Sequence, residues 1–121
     1  MLLNQKEAVR EATRLAKRKA SAGMQTIVEV ESLAEVNQAI AGRADIILLD
    51  NMTPAMVKKA VRLIKKRALV EVSGGVTLKN IRAMAAAGAD RISVGALTHS
   101  APAATMSLEF EAYPKGHKKQ R

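Results

Sequence analysis

Two glycine-bearing turns are the clearest candidates for chemistry in this chain. A Ser-Gly-Gly turn at 73–75 directly follows an apolar run at 68–72, and Gly95 ends the next predicted strand in the same way. Thr77 is placed to cap a helix that begins at Leu78, so the backbone N–H groups of the first turn would lie beside a positive helix end. Two such turns on adjacent strands predict a phosphate site. Either turn alone would indicate only a tight reversal of the chain.

Carboxylates are the second candidate group. Glu29 lies within a predicted strand, and Asp50 and Asn51 end the next one, on the side of the sheet where the glycine turns lie. A carboxylate there can bind a divalent cation or a sugar hydroxyl beside a phosphate. The alternative is structural: Asp50 caps the following turn, and Glu29 and Glu71 lie in the interior with a basic partner. Asn51 is equally typical of a turn, and His99 is either a phosphate contact or a solvated loop residue.

Composition limits the class of protein. The chain has 121 residues, enough for one domain, and its only aromatic residues are Phe110 and Tyr113, so the core must be aliphatic. It contains no cysteine, no apolar run of membrane length and no signal pattern, which favours a cytoplasmic location and excludes thiolate metal sites. The net charge of +9 is concentrated at 10–19, 58–67 and 115–121. These charges predict weak binding to polyanions, but the aromatic residues that stack nucleic-acid bases are missing.

The elements that position these residues alternate between helix and strand. The predicted helices begin with the capping patterns Asn4/Glu7, Ser32/Glu35 and Thr53-Pro54, and end near Ala20, at Gly42 and before the run at 68–72. Two segments, 41–51 and 87–96, repeat one phrase: a Gly, then Ala-Asp, a strand and a polar turn. Strands recur about every twenty residues, which predicts an α/β fold of four parallel βα units preceded by a helix.

Four βα units amount to half of a (β/α)8 barrel. A half-barrel would leave both sheet edges and one apolar face exposed. Two solutions are open: a homodimer that closes an eight-stranded barrel, or an open flavodoxin-like sheet. We expect the domain to cover 1–113, with a short helix at 101–106, an edge strand or helix at 107–113, and a disordered basic tail at 114–121.

Four collinear segments resemble the C-terminal barrel of quinolinate phosphoribosyltransferase, also called nicotinate-nucleotide pyrophosphorylase (carboxylating). They are VEVESLAEV at 28–36, ADIILLDNMTPAMV at 44–57, EVSGGVTLKNI at 71–81 and GADRISVGALTHSAPA at 88–103. The family converts quinolinate and phosphoribosyl pyrophosphate to nicotinate mononucleotide, pyrophosphate and carbon dioxide, using magnesium. The resemblance implies that Glu29 and Asp50 contact the ribose and the Mg²⁺ ion. It also implies a phosphate cradle, with His99 close by, that consists of Ser73, Gly74, Gly75, Val94, Gly95 and Ala96.

Departures from the family pattern concern catalysis. We expect the family's N-terminal domain and first barrel half to be missing, with the cationic side chains that bind both carboxylates of quinolinate. Ile27 stands where the family often has Glu, and Thr105 where it often has Asp. Without those cations the chain alone is expected to bind phosphate but not to turn over efficiently. A scaffold module whose glycine turns bind nothing, and a subunit that needs a second chain to complete the barrel, are the other interpretations.

Overall fold

The computed structural model describes residues 7–94 and the backbone of 106–109. In chain order its elements are α1 (Ala8–Lys19), β1 (Ile27–Val30), α2 (Leu33–Ala41), β2 (Ile46–Asp50), α3 (Pro54–Ile64), β3 (Leu69–Ser73), α4 (Ile81–Ala86), β4 (Arg91–Val94) and β5 (Met106–Glu109). No helix in this described part has the length and apolar character needed to cross a membrane. The predicted cap of the first helix, Asn4, the predicted helix at 101–106 and the tail at 114–121 lie outside the described residues, apart from Met106 at the start of β5.

The sheet confirms the predicted fold class. Its strand order is β1-β2-β3-β4-β5; the first four strands are parallel, and β5 pairs antiparallel with β4. Parallel strands in sequential order, joined by right-handed crossovers, place their connecting helices on one face of the sheet. This is the strand order of a barrel. In the flavodoxin-like alternative the strand order would change direction partway across the sheet. Of the two predictions for the segment after residue 106, the edge strand is confirmed.

The strand register assigns each side chain to one of two faces. The face covered by helices contains a row of fully buried residues that lie opposite one another: Val30, Leu49, Val72 and Ile92. The other face, which we call the open face, has in the neighbouring register the row Glu29, Leu48, Glu71 and Arg91. We call it the polar row, because three of its four residues are charged. None of the four residues in this polar row is buried. Hydrophobic burial therefore fixes the register from one side only, and polar groups collect on the other.

Two predicted helix starts have the expected caps. The Ser32 hydroxyl accepts a hydrogen bond from the Glu35 backbone N–H at 3.2 Å, and the Glu35 carboxylate accepts one from the Glu31 N–H at 2.7 Å. Thr53 caps α3 in the same way, accepting from the Met56 N–H at 3.2 Å. These bonds satisfy N–H groups that a helix start leaves without partners.

Helix α1 packs differently from the pattern its sequence predicts. The helical spacing of Ala8, Ala12, Leu15 and Ala16 predicts an apolar stripe, but Ala12, Leu15 and Ala16 are exposed and Thr13 is the buried residue. The reason is its partner: α1 packs against α2, where Gly42 leaves so little space that an added Cβ would lie 2.5 Å from the Thr13 Cβ. Gly42 therefore serves close helix packing.

The repeated Ala-Asp phrase holds the amino-terminal edge of the sheet. The Asp45 carboxylate accepts hydrogen bonds from the Thr26 backbone N–H at 2.7 Å and from the Lys17 ammonium group at 2.9 Å. Asp90 occupies the equivalent position one strand pair further on, accepting from the Val70 N–H at 2.8 Å. The hydrogen bond from Lys17, followed by that from Thr26, lowers the pKa of Asp45 below its usual value. Both copies of the phrase thus connect the start of one strand to the start of the preceding strand.

Candidate functional site

The turns that follow β2 and β3 contact each other at the carboxyl edge. Asp50 and Ser73 lie opposite each other in the parallel register, and the Asn51 N–H donates to the Ser73 carbonyl oxygen at 2.8 Å. Asn51, Gly74 and Gly75 all have left-handed backbone conformations, with φ of 54°, 77° and 69°. The structure therefore brings together the Ser-Gly-Gly turn and the Asp50-Asn51 turn, as the sequence predicted.

Both glycines are required by space as well as by conformation. A Cβ added at Gly74 would lie 2.7 Å from Asp50 Oδ1 and 3.1 Å from the Asn51 backbone nitrogen. One added at Gly75 would lie 3.1 Å from Asn51 Oδ1. The 2.7 Å distance at Gly74 is shorter than real Cβ atoms show. An L-residue in a left-handed conformation would be strained in addition.

The turn leaves backbone donors available. Among the described residues, the N–H groups of Gly74, Gly75 and Val76 have no hydrogen-bond acceptor. Gly75 is exposed and Gly74 is half-buried, so solvent reaches the turn. Successive N–H groups of this kind form a concave site for an anion.

The expected helix end beside this turn is absent. The chain forms turns at 78–80 and α4 begins only at Ile81, so the prediction of a helix capped by Thr77 is wrong. The cause is Asn80, whose side chain accepts from the Thr77 N–H and donates to the Gly75 carbonyl oxygen, both at 2.8 Å. Asn side chains that bond to the local backbone compete with helix formation. Leu78, the first residue of the predicted helix, is 77% exposed.

Glu29 and Asp50 lie on the open face near this turn. Glu29 is opposite Leu48, two residues before Asp50 on the same face, so the two carboxylates are diagonal neighbours across β1 and β2. Neither makes a hydrogen bond or ion pair with another described residue. The described part of the chain contains no cluster of three or more His, Asp or Glu side chains that could hold a metal. Two carboxylates beside an anion cradle still fit Mg²⁺, which is commonly bound by one or two carboxylates together with substrate phosphate.

Glu71 has a polar partner on the open face. Its carboxylate accepts a hydrogen bond from the Ser93 hydroxyl at 3.0 Å, and it lies opposite Arg91 in the ladder. Sequence reasoning missed Arg91 as a residue of the open face. Its alternation with Ile92, which belongs to the covered face, is the signal that could have identified it.

The second predicted turn is described only at its start. Val94 ends β4 and is buried. Gly95, Ala96 and His99 lie outside the described residues.

A separate groove of about 440 Å³ lies between α1 and the turn after α2, lined mainly by Arg14, Lys17, Arg18 and Arg43 with Glu11. It is distant from the carboxyl edge, because the end of α2 leads into the start of β2.

Sequential parallel strands, helices on one face and glycine turns at the carboxyl edge define a domain of the (β/α)-barrel class. The chain belongs to the quinolinate phosphoribosyltransferase family: the model described as "Quinolinate phosphoribosyl transferase, C-terminal domain" matches residues 2–109. This confirms the resemblance found in the sequence.

Individual relatives agree with this assignment. A protein of Methanocaldococcus jannaschii named "Probable nicotinate-nucleotide pyrophosphorylase [carboxylating]" is 40% identical over 112 residues, which cover 87% of this chain and 40% of the relative. The human "Nicotinate-nucleotide pyrophosphorylase [carboxylating]" is 37% identical over 107 residues, covering 86% of this chain and 36% of the relative. The solved structure from Francisella tularensis has a TM-score of 0.68 and 36% identity, covering 84% of this chain and 37% of that one. The chain thus spans about two fifths or less of the length of these relatives.

Proposed function

We propose that this chain is the carboxyl-terminal half-barrel of a quinolinate phosphoribosyltransferase, with the phosphoribosyl-binding rim retained and no efficient turnover by the chain alone. The relatives are named for the carboxylating pyrophosphorylase reaction. In the direction of NAD biosynthesis that reaction joins quinolinate to phosphoribosyl pyrophosphate and releases pyrophosphate and carbon dioxide. We place the protein in the cytoplasm, in keeping with its lack of cysteine.

The contact between the two turns carries the proposal. Gly74 and Gly75 hold consecutive left-handed conformations against Asp50 and Asn51, and their N–H groups have no acceptor among the described residues. A turn needed only to reverse the chain would not require Gly74 to lie this close to the Asp50 carboxylate. We assign phosphate to the turn at Ser73, Gly74 and Gly75, through the N–H groups of the two glycines, and to the second turn at Val94, Gly95 and Ala96, with His99 as a further donor.

The carboxylates would hold the metal end of the ligand. Mg²⁺ supplies charge neutralisation of a pyrophosphate, and Glu29 and Asp50 are the residues of this chain that would bind it. Asp50 is adjacent to the phosphate turn, so its carboxylate and the N–H groups of Gly74 and Gly75 would bind opposite charges of one ligand.

Efficient turnover needs more cationic groups than the described part of the open face supplies. Loss of carbon dioxide leaves negative charge that preorganised cations must stabilise. The cation of the polar row is Arg91, and it lies opposite the carboxylate of Glu71. We therefore expect no nicotinate mononucleotide from the chain incubated with quinolinate, phosphoribosyl pyrophosphate and Mg²⁺; clear product formation would contradict this part of the proposal.

Titration with inorganic phosphate, followed by amide NMR shifts, tests the binding site. We expect saturable shifts at Gly74 and Gly75, and none at Gly23, a left-handed glycine in the turn after α1 with no atom near its Cβ position. Ribose 5-phosphate with Mn²⁺ in place of Mg²⁺ should in addition broaden the resonances of Glu29 and Asp50. Equal responses at all three glycines, or no response, would contradict a phosphate site.

A scaffold without a ligand is the second candidate function. The observation that favours it is the start of α4 at Ile81, which removes the helix end expected to attract an anion. Absence of any phosphate response, in a chain whose amide spectrum shows it to be folded, would favour this scaffold over the binding rim.

A further inference from the structure

The end of helix α2 places an arginine in a backbone position that favours glycine. The Arg43 N–H donates to the Ile40 carbonyl oxygen at 3.0 Å. The Ala44 N–H donates to the Ala39 carbonyl oxygen at 3.1 Å. These two bonds form a Schellman motif, in which the residue after the helix cap is left-handed and usually glycine. Here that residue is Arg43, with φ of 64°.

The second copy of the Ala-Asp phrase, at 87–90, shows the usual solution. Gly88 precedes its Ala-Asp pair, as Arg43 does in the first copy, and has φ of 108°. The Gly88 N–H donates to the Ala85 carbonyl oxygen at 3.0 Å, the same bond that Arg43 makes. In the first copy the glycine lies one residue earlier, where Gly42 allows α1 to pack closely. A strained residue that persists is a reason to look for a function of its side chain.

The helix dipole does not explain this arginine. A cation in the last turn of a helix interacts favourably with the carbonyl groups at its end. The last turn of α2 has no basic residue, although a cation there would meet the dipole without adopting a left-handed conformation. The position of Arg43 is therefore better explained by the surface that its side chain lines.

That surface is the groove of about 440 Å³ between α1 and the turn after α2. Its volume lies within the range of small-molecule pockets, about 300 to 1,000 Å³. Among the described residues its lining includes four cations, one carboxylate and no aromatic side chain. The charged residues are Arg14, Lys17, Arg18, Arg43 and Glu11.

Two of the four cations have no partner of their own. Arg14 Nη1 lies 3.6 Å from the carboxylate of the groove, and the Lys17 ammonium group donates to Asp45 at 2.9 Å. The guanidinium groups of Arg18 and Arg43 make no hydrogen bond or ion pair within the described part of the chain. Like charges that share one groove repel each other, and a bound anion relieves that repulsion.

We propose that this groove binds a compact anion with two or more phosphate groups, held between Arg18 and Arg43. Guanidinium groups bind phosphate oxygens through two parallel hydrogen bonds and are more weakly hydrated than ammonium groups. Two guanidinium groups without partners, with Lys17 beside them, offer more donors than a single phosphate needs. Because no aromatic side chain is present among the described lining residues, nothing in the groove stacks on a base, and the phosphates themselves are recognised.

The groove lies at the opposite end of the sheet from the phosphate turn. It is formed by side chains next to the start of β2, whereas the turn at Gly74 and Gly75 offers backbone N–H groups after β3. The inference therefore does not depend on the proposed function, and one titration can report on both sites separately.

Titration with inorganic pyrophosphate in the absence of divalent metal, followed by amide NMR shifts, tests the groove. We expect saturable shifts at Gly42, Arg43 and Ala44. A folded chain without shifts at these three residues would overturn the inference, even if Gly74 and Gly75 respond and so support the proposed function. Shifts at 42–44 with silence at Gly74 and Gly75 would support the groove and contradict the phosphate turn.

Arg43→Gly separates binding from folding. The variant loses a cation of the groove and no longer holds an L-residue in the left-handed conformation. We expect its dissociation constant for pyrophosphate, measured by calorimetry, to rise at least about tenfold. Its thermal midpoint should be equal to or higher than that of wild type. Arg18→Gln should weaken binding similarly, with an unchanged midpoint. Unchanged affinity in both variants would overturn the proposal.

Lys65→Gly is the matched control. Lys65 caps α3 in a left-handed conformation, with φ of 51°, and it is exposed outside the groove. This variant loses the same charge and relieves the same kind of strain, so its midpoint should change as that of Arg43→Gly does, while its affinity for pyrophosphate stays at the wild-type value. Equal weakening by both variants would mean that only net charge matters, and it would refute a built site.

The class of ligand is tested by comparing inorganic triphosphate with ATP. We expect equal affinities, because the described lining offers nothing that contacts a base. Much tighter binding of ATP would overturn the assignment to phosphate groups alone. Binding of single-stranded DNA without any response to pyrophosphate would overturn it too, in favour of an extended nucleic-acid surface.

Discussion

The two edges of the parallel sheet use carboxylates in opposite ways. At the amino-terminal edge, Asp45 and Asp90 each accept a backbone N–H from the preceding strand, and Asp45 also binds Lys17. At the carboxyl edge and on the open face, Asp50 and Glu29 have no partner among the described residues. The carboxylates at the amino-terminal edge thus hold neighbouring strands together, whereas those at the carboxyl edge are available to bind a ligand.

This difference separates stability from function within one sheet. In barrels of this class, the amino-terminal edge is associated with stability and the carboxyl edge with ligands. A carboxylate with several hydrogen bonds is costly to remove, because its donors lose their acceptor, whereas a carboxylate with none can be removed at little cost. Substitutions at matched positions of the two edges should therefore have unequal effects on folding.

The largest effect is expected where the carboxyl edge is tightly packed. Gly74→Ala forces an L-residue into a left-handed conformation and brings its Cβ within 3.1 Å of the Asn51 backbone nitrogen. The Asp50 carboxylate can rotate away, but the backbone cannot. We expect a loss of about 2 to 3 kcal/mol in the free energy of unfolding, measured with denaturant, together with loss of the phosphate response.

Gly23→Ala is the matched control for conformational strain. Gly23 also has a left-handed conformation, with φ of 87°, but no atom lies within 4 Å of its Cβ position. This change should cost only about 1 kcal/mol. Equal losses for the two glycines would contradict the close contact between the turns after β2 and β3.

The amino-terminal edge is tested next by Asp45→Ala. The change removes the acceptor of the Thr26 N–H and the partner of Lys17. Because about a third of the side chain is exposed, solvent replaces part of what is lost. We expect a destabilisation of about 1 to 2 kcal/mol in the same denaturant measurement. A change below about 0.5 kcal/mol, the range of ordinary surface substitutions, would show that the repeated Asp does not hold this edge.

Acid should reduce the contribution of Asp45. Its pKa is lowered in the folded chain by the Lys17 and Thr26 hydrogen bonds. A carboxyl group with a lowered folded pKa stabilises fully above its unfolded value and loses that contribution as pH falls through the folded value. The difference in stability between wild type and Asp45→Ala should therefore be constant near neutral pH and narrow below about pH 4. A difference that widens on acidification would contradict the assignment.

The sequence predicted those elements whose determinants are local. The apolar run Ile46–Leu49 is typical of a parallel strand covered on both faces, and it forms β2, although Leu48 is only half-buried. The caps at Ser32 and Thr53 depend on residues three positions away. The Ser-Gly-Gly turn was identified because glycine readily adopts the left-handed conformations that tight turns need and other residues avoid. Sequential βα repetition predicted parallel strands, but the choice between a barrel order and a flavodoxin-like order stayed open until the folded sheet was seen.

The remaining features depend on contacts that only the folded chain provides. The delayed start of α4 results from two Asn80 hydrogen bonds, one of them to Gly75 in the preceding turn. The exposed side of α1 follows from its docking on Gly42. The Ala-Asp repeat was visible in the sequence, but its role requires the register that places Asp45 beside Thr26. The pairing of Glu71 with Ser93 likewise requires the strand register.

The smallest effect on folding is expected for Asp50→Ala, and this variant tests the comparison between the two edges of the sheet most directly. Asp50→Ala removes a carboxylate without a partner among the described residues, so the free energy of unfolding should stay within about 0.5 kcal/mol of wild type. It also relieves crowding near Gly74, because Asp50 Oδ1 is the atom closest to that Cβ position. The double variant Asp50→Ala, Gly74→Ala should therefore lose less stability than the sum of its two single changes. Additive losses would mean that the Asn51 backbone alone limits the space at Gly74. A large loss from Asp50→Ala by itself would mean that both edges of the sheet use their carboxylates for folding.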